Sequence, residues 1–85
     1  MPTIARVAGV LIRMYFDDHP PPHFHAVYAG TQAKYLLDGI RLAGRLPPTK
    51  DRAVRAWAAA HQPQLEECWE RAANTEHPDT IGPEA

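Results

Sequence analysis

The residues able to do chemistry are crowded into one stretch. Asp17, Asp18, His19, His23 and His25 lie within nine residues, interrupted by the prolines at 20, 21 and 22. His23 and His25 are two apart, so in an extended strand both imidazoles point to the same side. A carboxylate beside them would complete a ligand set of the kind zinc, nickel or copper accepts. On spacing, His23, His25 and Asp17 form the expected metal set, with Asp18 and His19 in reach, and a divalent transition metal is the cofactor implied. There is no pair of Cys/His motifs of the zinc-finger type. The same histidines, beside Tyr15, Lys34 and Arg13, could instead move protons and stabilise a charged phosphate transition state, as in a metal-independent ribonuclease. No nucleophile motif accompanies them.

Strands must position these groups. From Gly9 to Phe16 the residues alternate, with Val10, Ile12, Met14 and Phe16 on one face and Leu11, Arg13 and Tyr15 on the other. The three prolines end this strand, because they cannot donate to a ladder. A second strand starts near His23, placing Phe24, Ala26 and Tyr28 opposite to His23, His25 and Val27. Ala29-Gly30 is a tight turn into a third strand, Thr31 to Leu37. Asp38-Gly39 is a two-residue hairpin signal leading to a short fourth strand from Ile40 to Leu42. These turns predict Tyr35 opposite both Phe24 and Leu42, Leu37 opposite Ile40, His25 opposite Tyr15 and Lys34, and Phe16 paired with Phe24. One face is then apolar, and the other carries Asp17 near His23, with Arg13 and Arg41 further out.

Two helices supply the cover for the apolar face. Pro47-Pro48-Thr49 reads as a helix start with threonine as cap, and Ala53, Val54, Trp57, Ala58 and His61 form the apolar stripe that follows. Gln62-Pro63 starts the second helix, whose stripe is Leu65, Cys68, Trp69 and Ala72. Both tryptophans are expected in the core, Cys68 as an inert buried thiol, His61 at the first helix's C-terminus and Asn74 at the second's. The architecture expected is α+β: a three- to four-stranded antiparallel meander followed by two C-terminal helices packed on one sheet face. Residues 1–74 form the domain, and 75–85 are expected to be a disordered tail.

With 85 residues and a formal charge of −1, the chain has room for one small core and no overall field to hold nucleic acid or an anionic membrane. A single cysteine allows no internal disulfide, and no run reaches a membrane span. The opening Met-Pro-Thr-Ile-Ala-Arg lacks a signal-peptide core, so the chain is expected to start at its natural beginning and to be cytoplasmic.

Met-Pro-Thr-Ile, the run Asp18-x-x-Pro21-Pro22-His23-Phe24-His25, and the later Leu-Pro, tryptophan and Leu-Glu-x-x-Trp helices resemble the small prokaryotic family catalogued as domain of unknown function 4160. The resemblance runs from Met1 to about Ala73. It implies a compact bacterial α+β protein, often encoded beside another small protein and linked to toxin–antitoxin-like pairs. It supplies no catalytic residue. Its signature falls on Asp18, Pro21, Pro22, His23, Phe24 and His25, and its helical tryptophans on Trp57 and Trp69. The run Lys34 to Asp38 departs from the family's more regular alternation.

The functional expectation is a protein-interaction module of a toxin–antitoxin-like or regulatory two-gene system, with a protein partner or a second copy of itself. Its surface would be Arg13, Tyr15, Asp17, Asp18, His19, His23, His25, Lys34 and Arg41. The alternative is a metal-binding or histidine-dependent RNA-cleaving protein using the cluster at 17–25, although the net charge does not favour nucleic acid.

Overall fold

The computed structural model describes residues 3–82. Five antiparallel strands follow one another in space as in sequence: β1 (Thr3–Val7), β2 (Val10–Arg13), β3 (His23–Tyr28), β4 (Thr31–Leu36) and β5 (Arg41–Gly44). Helices α1 (Pro48–Ala60) and α2 (Gln62–Ala73) complete an α+β fold. The sheet therefore has five strands where three to four were expected. The extra strand is β1. Ala8 and Gly9, at φ 50 and 80, put both central residues of a two-residue loop in the left-handed region, so the chain folds back there. An apolar run from Val7 to Ile12 conceals that turn, because alanine is not a residue that announces positive φ.

The β3–β4 hairpin has the expected register. Ala29 and Gly30 form its turn at φ 47 and 80, Phe24 faces Tyr35, and His25 faces Lys34. Beyond it the register departs from expectation. The connection from β4 to β5 takes four residues, closed by the Leu36 amide on the Ile40 carbonyl at 2.8 Å and the Gly39 amide on the Leu36 carbonyl at 2.9 Å. Asp38 then uses its carboxylate to accept from the Ile40 amide, a local bond that favours an Asx turn over a two-residue hairpin. A bulge between Lys34 and Tyr35 follows, and Tyr35 faces Arg41 instead of Leu42. Arg41 thereby leaves the face that carries His25. Ile40 and Leu42 are both exposed, and Leu37 is buried without pairing to Ile40. Phe16 is likewise 42% exposed and lies beyond the end of β2, so it does not pair with Phe24; its ring stands edge-on to His77.

The core lies between the sheet and the helices. Phe24 stacks on Tyr35 and meets Trp57 edge-on, and the Tyr35 hydroxyl donates to Asp51 at 2.6 Å. Val54, Trp57 and Ala58 from α1 and Leu65, Cys68 and Ala72 from α2 close the same cluster over Ile4, Val10, Ile12 and Met14. Trp69 is only partly buried and packs at the margin. Thr49 is not the cap of α1. The helix begins at Pro48, with Pro47 at the N-cap and no side-chain bond there. His61 closes α1 as expected, its Nδ1–H donating to the Trp57 carbonyl at 2.8 Å, and the Asn74 amide caps α2.

The segment after α2, read from sequence as a disordered tail, makes specific contacts between residues 78 and 82. Pro78 is fully buried, the Ile81 amide donates to the Ile4 carbonyl at 2.6 Å, and the Cys68 thiol donates to the Asp79 carbonyl. Residues 83–85 lie outside the described part of the chain.

Candidate functional site

The loop from Met14 to Pro22 carries Asp18 back over the first residues of β3. Bonds to the helix layer, within the loop and to β3 hold it. The Asp17 amide donates to the Ala72 carbonyl at the end of α2, which ties the loop to the helix layer. The His19 amide donates to Asp18 Oδ1 at 2.9 Å, which orients the carboxylate. The Asp18 Oδ2 atom then lies 3.0 Å from His23 Nε2 and 3.3 Å from His25 Nε2. The Pro20–Pro21 peptide within the loop is cis.

Alternation along β3 puts His23 and His25 on one side, as spacing requires, and their rings stand 5.1 Å apart. Neither ring is on an open surface. His23 and His25 are 5% and 8% exposed, the buried polar residues of the described chain. Trp69 covers His23 at 5.4 Å between ring centroids, and Tyr15 meets His25 edge-on at 4.4 Å. Tryptophan 69 is thus a wall of the site more than a core residue.

The tautomer of His23 follows from its partners. A carbonyl can only accept, so the 2.7 Å contact between His23 Nδ1 and the Pro21 carbonyl places the proton on Nδ1. Nε2 is then either a second donor or a bare lone pair aimed at Asp18. This is the arrangement in which metal-ligating histidines are commonly held, with Nδ1–H anchored on a backbone carbonyl and Nε2 free to ligate. Burial lowers the basicity of His25, and the His23 and Lys34 charges act in the same direction; the hydrogen bond to Asp18 opposes them without prevailing. Asp18 has the opposite balance. Burial alone would raise it, but the hydrogen bonds from His25 and the His19 amide and the two imidazole charges hold it below its ordinary value. An ionised carboxylate and a neutral imidazole are the protonation states that a cation requires of its ligands.

The cluster of Asp18, His23 and His25 has one ligand atom from each residue, all within 4.8 Å of one another. The expected set had Asp17 in place of Asp18. Asp17 is exposed at φ 52, with its backbone turned to α2, and Asp18 alone reaches both rings. Two adjacent aspartates in a proline-bound loop cannot be told apart by spacing, because the turn decides which one points inward. His19 touches Asp18 Oδ1 at 3.4 Å but is 87% exposed in its side chain. Arg13, not Tyr15, faces His25 across β2, and Lys34 faces it across β4. The buried Nε of Arg13 has no hydrogen-bond partner. Arg41 stands apart, in β5 opposite Tyr35.

Residues 9–70 match the family model described as Domain of unknown function (DUF4160). The chain belongs to that family. The matched span contains all three clustered side chains together with β2 to β5, α1 and most of α2. No curated protein matches, and no solved structure does either. No helix of the described chain is long and apolar enough to cross a membrane.

Proposed function

We propose that this member of the DUF4160 family is a small metal-binding protein, with a divalent transition metal held by Asp18, His23 and His25. The observation that carries this reading is the bond from His23 Nδ1–H to the Pro21 carbonyl, which directs Nε2 of the same ring to Asp18 Oδ2 at 3.0 Å. Ligand atoms 2.0–2.1 Å from a tetrahedral zinc ion stand about 3.3 Å apart. The 3.0 and 3.3 Å separations around Asp18 Oδ2 are near that value, so small side-chain movements admit an ion. Two nitrogens and one carboxylate oxygen suit zinc, iron(II) or nickel(II) better than the all-oxygen ions magnesium and calcium. The enclosure of both imidazoles favours an occupant of atomic size over a macromolecular partner touching them directly. A partner in a two-gene, toxin–antitoxin-like system would therefore meet exposed neighbours such as Asp17, His19 and Lys34.

Metal analysis after dialysis against zinc and removal of excess tests the reading. One ion per chain is expected, falling to none in Asp18→Asn and in His25→Ala, while Asp17→Asn keeps it. Losing a group that only orients a metal ligand typically costs ten- to a hundredfold in affinity, about 1.4–2.7 kcal/mol, so removal of a direct ligand should exceed that. Equal retention of zinc by wild type and all three variants would place the ion elsewhere and end the proposal.

A further inference from the structure

The sheet face that carries His25 is open away from the loop, and the charges that its strands place there are of one sign. Register places Arg6 beside Leu11 and Val27 in one cross-strand row, and Arg13, His25 and Lys34 in the next. Arg6 and Lys34 are exposed, and Arg13 is half-buried. Among the described residues no carboxylate lies within 4.0 Å of any of these three cations, and the one acid at the end of the face, Asp18, is engaged by the two histidines.

The net charge of −1 conceals this polarity. Residues 1–56 hold eight Lys and Arg against four Asp and Glu, whereas residues 57–85 hold one against six. The acids of the second half sit on α2 and beyond: Glu67 and Asp79 pair with Arg71, and Glu66 and Glu70 stand with Trp69, Pro22 and Leu36 at the His23 end of the sheet, beyond the row of Arg13, His25 and Lys34. A local cationic field therefore survives on a chain that is neutral in bulk.

We infer that this face binds the backbone of single-stranded nucleic acid, with Arg6, Arg13 and Lys34 on the phosphates. The half-exposed Tyr15, edge-on to His25 at 4.4 Å, borders the cationic row, and the 87% exposed imidazole of His19 stands beyond it on the Asp18 loop; both are aromatic rings of the kind on which bases stack. Cations beside aromatic rings on a flat sheet are the means by which single strands are held without sequence preference. An acidic peptide would use the cations but has no need of the rings. The inference goes beyond the metal reading and stands without an ion, although a strand lying along the Arg13, His25 and Lys34 row would pass beside the Asp18 cluster.

Fluorescence anisotropy with a labelled oligouridylate tests it, in zinc and in EDTA. Three phosphate contacts predict a log–log salt slope of about −2, so that a fourfold rise in salt weakens binding about 20-fold. Arg13→Gln/Lys34→Gln should weaken binding at least about tenfold, and Arg52→Gln/Arg55→Gln on α1 should leave it within about twofold. Because Arg13 is half-buried, Lys34→Gln and Arg6→Gln are also measured singly; both positions are exposed, and each should lose part of the affinity with an unchanged melting temperature. Equal loss in the α1 control, no loss in the sheet variants, or displacement by polyglutamate at lower concentration than by oligouridylate would each overturn the inference. Binding that persists in EDTA while zinc uptake fails would remove the metal reading alone. Zinc uptake without oligonucleotide binding would remove this one alone.

Discussion

At the scale of single residues, the His-x-His spacing was legible because period-two alternation is a property of the backbone and survives any packing. The identity of the acid was not, since Asp17 and Asp18 differ only in how one turn is wound. The burial of His23 and His25 was also hidden, because it comes from Trp69 and Tyr15, residues remote in sequence or beyond the strand end. That burial has a pH consequence. The folded state holds His25 below its ordinary value of 6.5, so the unfolded chain takes up that proton first. Its contribution to stability is complete above pH 6.5 and is lost as the pH falls through the lower folded value. Asp18, held below 3.8, acts with the same sign further into acid. The melting temperature of metal-free protein should fall between pH 7 and 5, and His25→Asn should flatten that fall. A melting temperature that rises on acidification would mean that His25 gains, and keeps, its proton against Asp18. Burial, with help from the Glu67 and Asp79 charges, pushes the Cys68 thiol up to about 11, and it should be inert to thiol reagents in the native state.

At the scale of elements, the β3–β4 hairpin and both helices could be read from alternation, turn residues and apolar stripes. The edges could not. Strand β1 was lost in an apolar run, and β5 was displaced by the Asp38 turn and the bulge at Lys34 and Tyr35. Gly44 fixes that outer register. It sits at φ 75, and a Cβ there would collide with the Gln32 carbonyl. Gly44→Ala should destabilise the fold by about 2–3 kcal/mol in urea unfolding, and an effect under about 0.5 kcal/mol would show that β5 can shift without cost. Tyr35→Phe removes the donor to Asp51 and should cost about 1–2 kcal/mol, since Asp51 keeps only the 3.7 Å pair with Arg55.

At the scale of the whole molecule, the α+β class and the division into a polar and an apolar sheet face followed from composition and pattern alone. The closing of β1 by the chain's last described residues did not, because a stretch with prolines and no periodicity carries no signal for where it docks. Removing residues 75–85 takes away the burial of Pro78 and the Ile81–Ile4 bond. It should cost about 2–4 kcal/mol and make Cys68 reactive, as followed by chemical unfolding and thiol titration. Retention of full stability and an inert Cys68 would mean that the helices and sheet close the core unaided. The opposed charges of residues 1–56 and 57–85 also belong to this scale, since neither net charge nor any single motif contains them.

The Asp18, His23 and His25 centre is tested most directly by the ring nitrogens themselves. Long-range nitrogen–proton NMR of labelled protein, before and after one equivalent of zinc, reads each nitrogen separately. The expected result is His23 protonated on Nδ1 throughout, with zinc moving Nε2 of His23 and of His25 to the shifts of ligated imidazole. Zinc that leaves both Nε2 signals unmoved, with His23 carrying protons on both nitrogens, would contradict it and make the cluster an ion-paired pin between loop and strand.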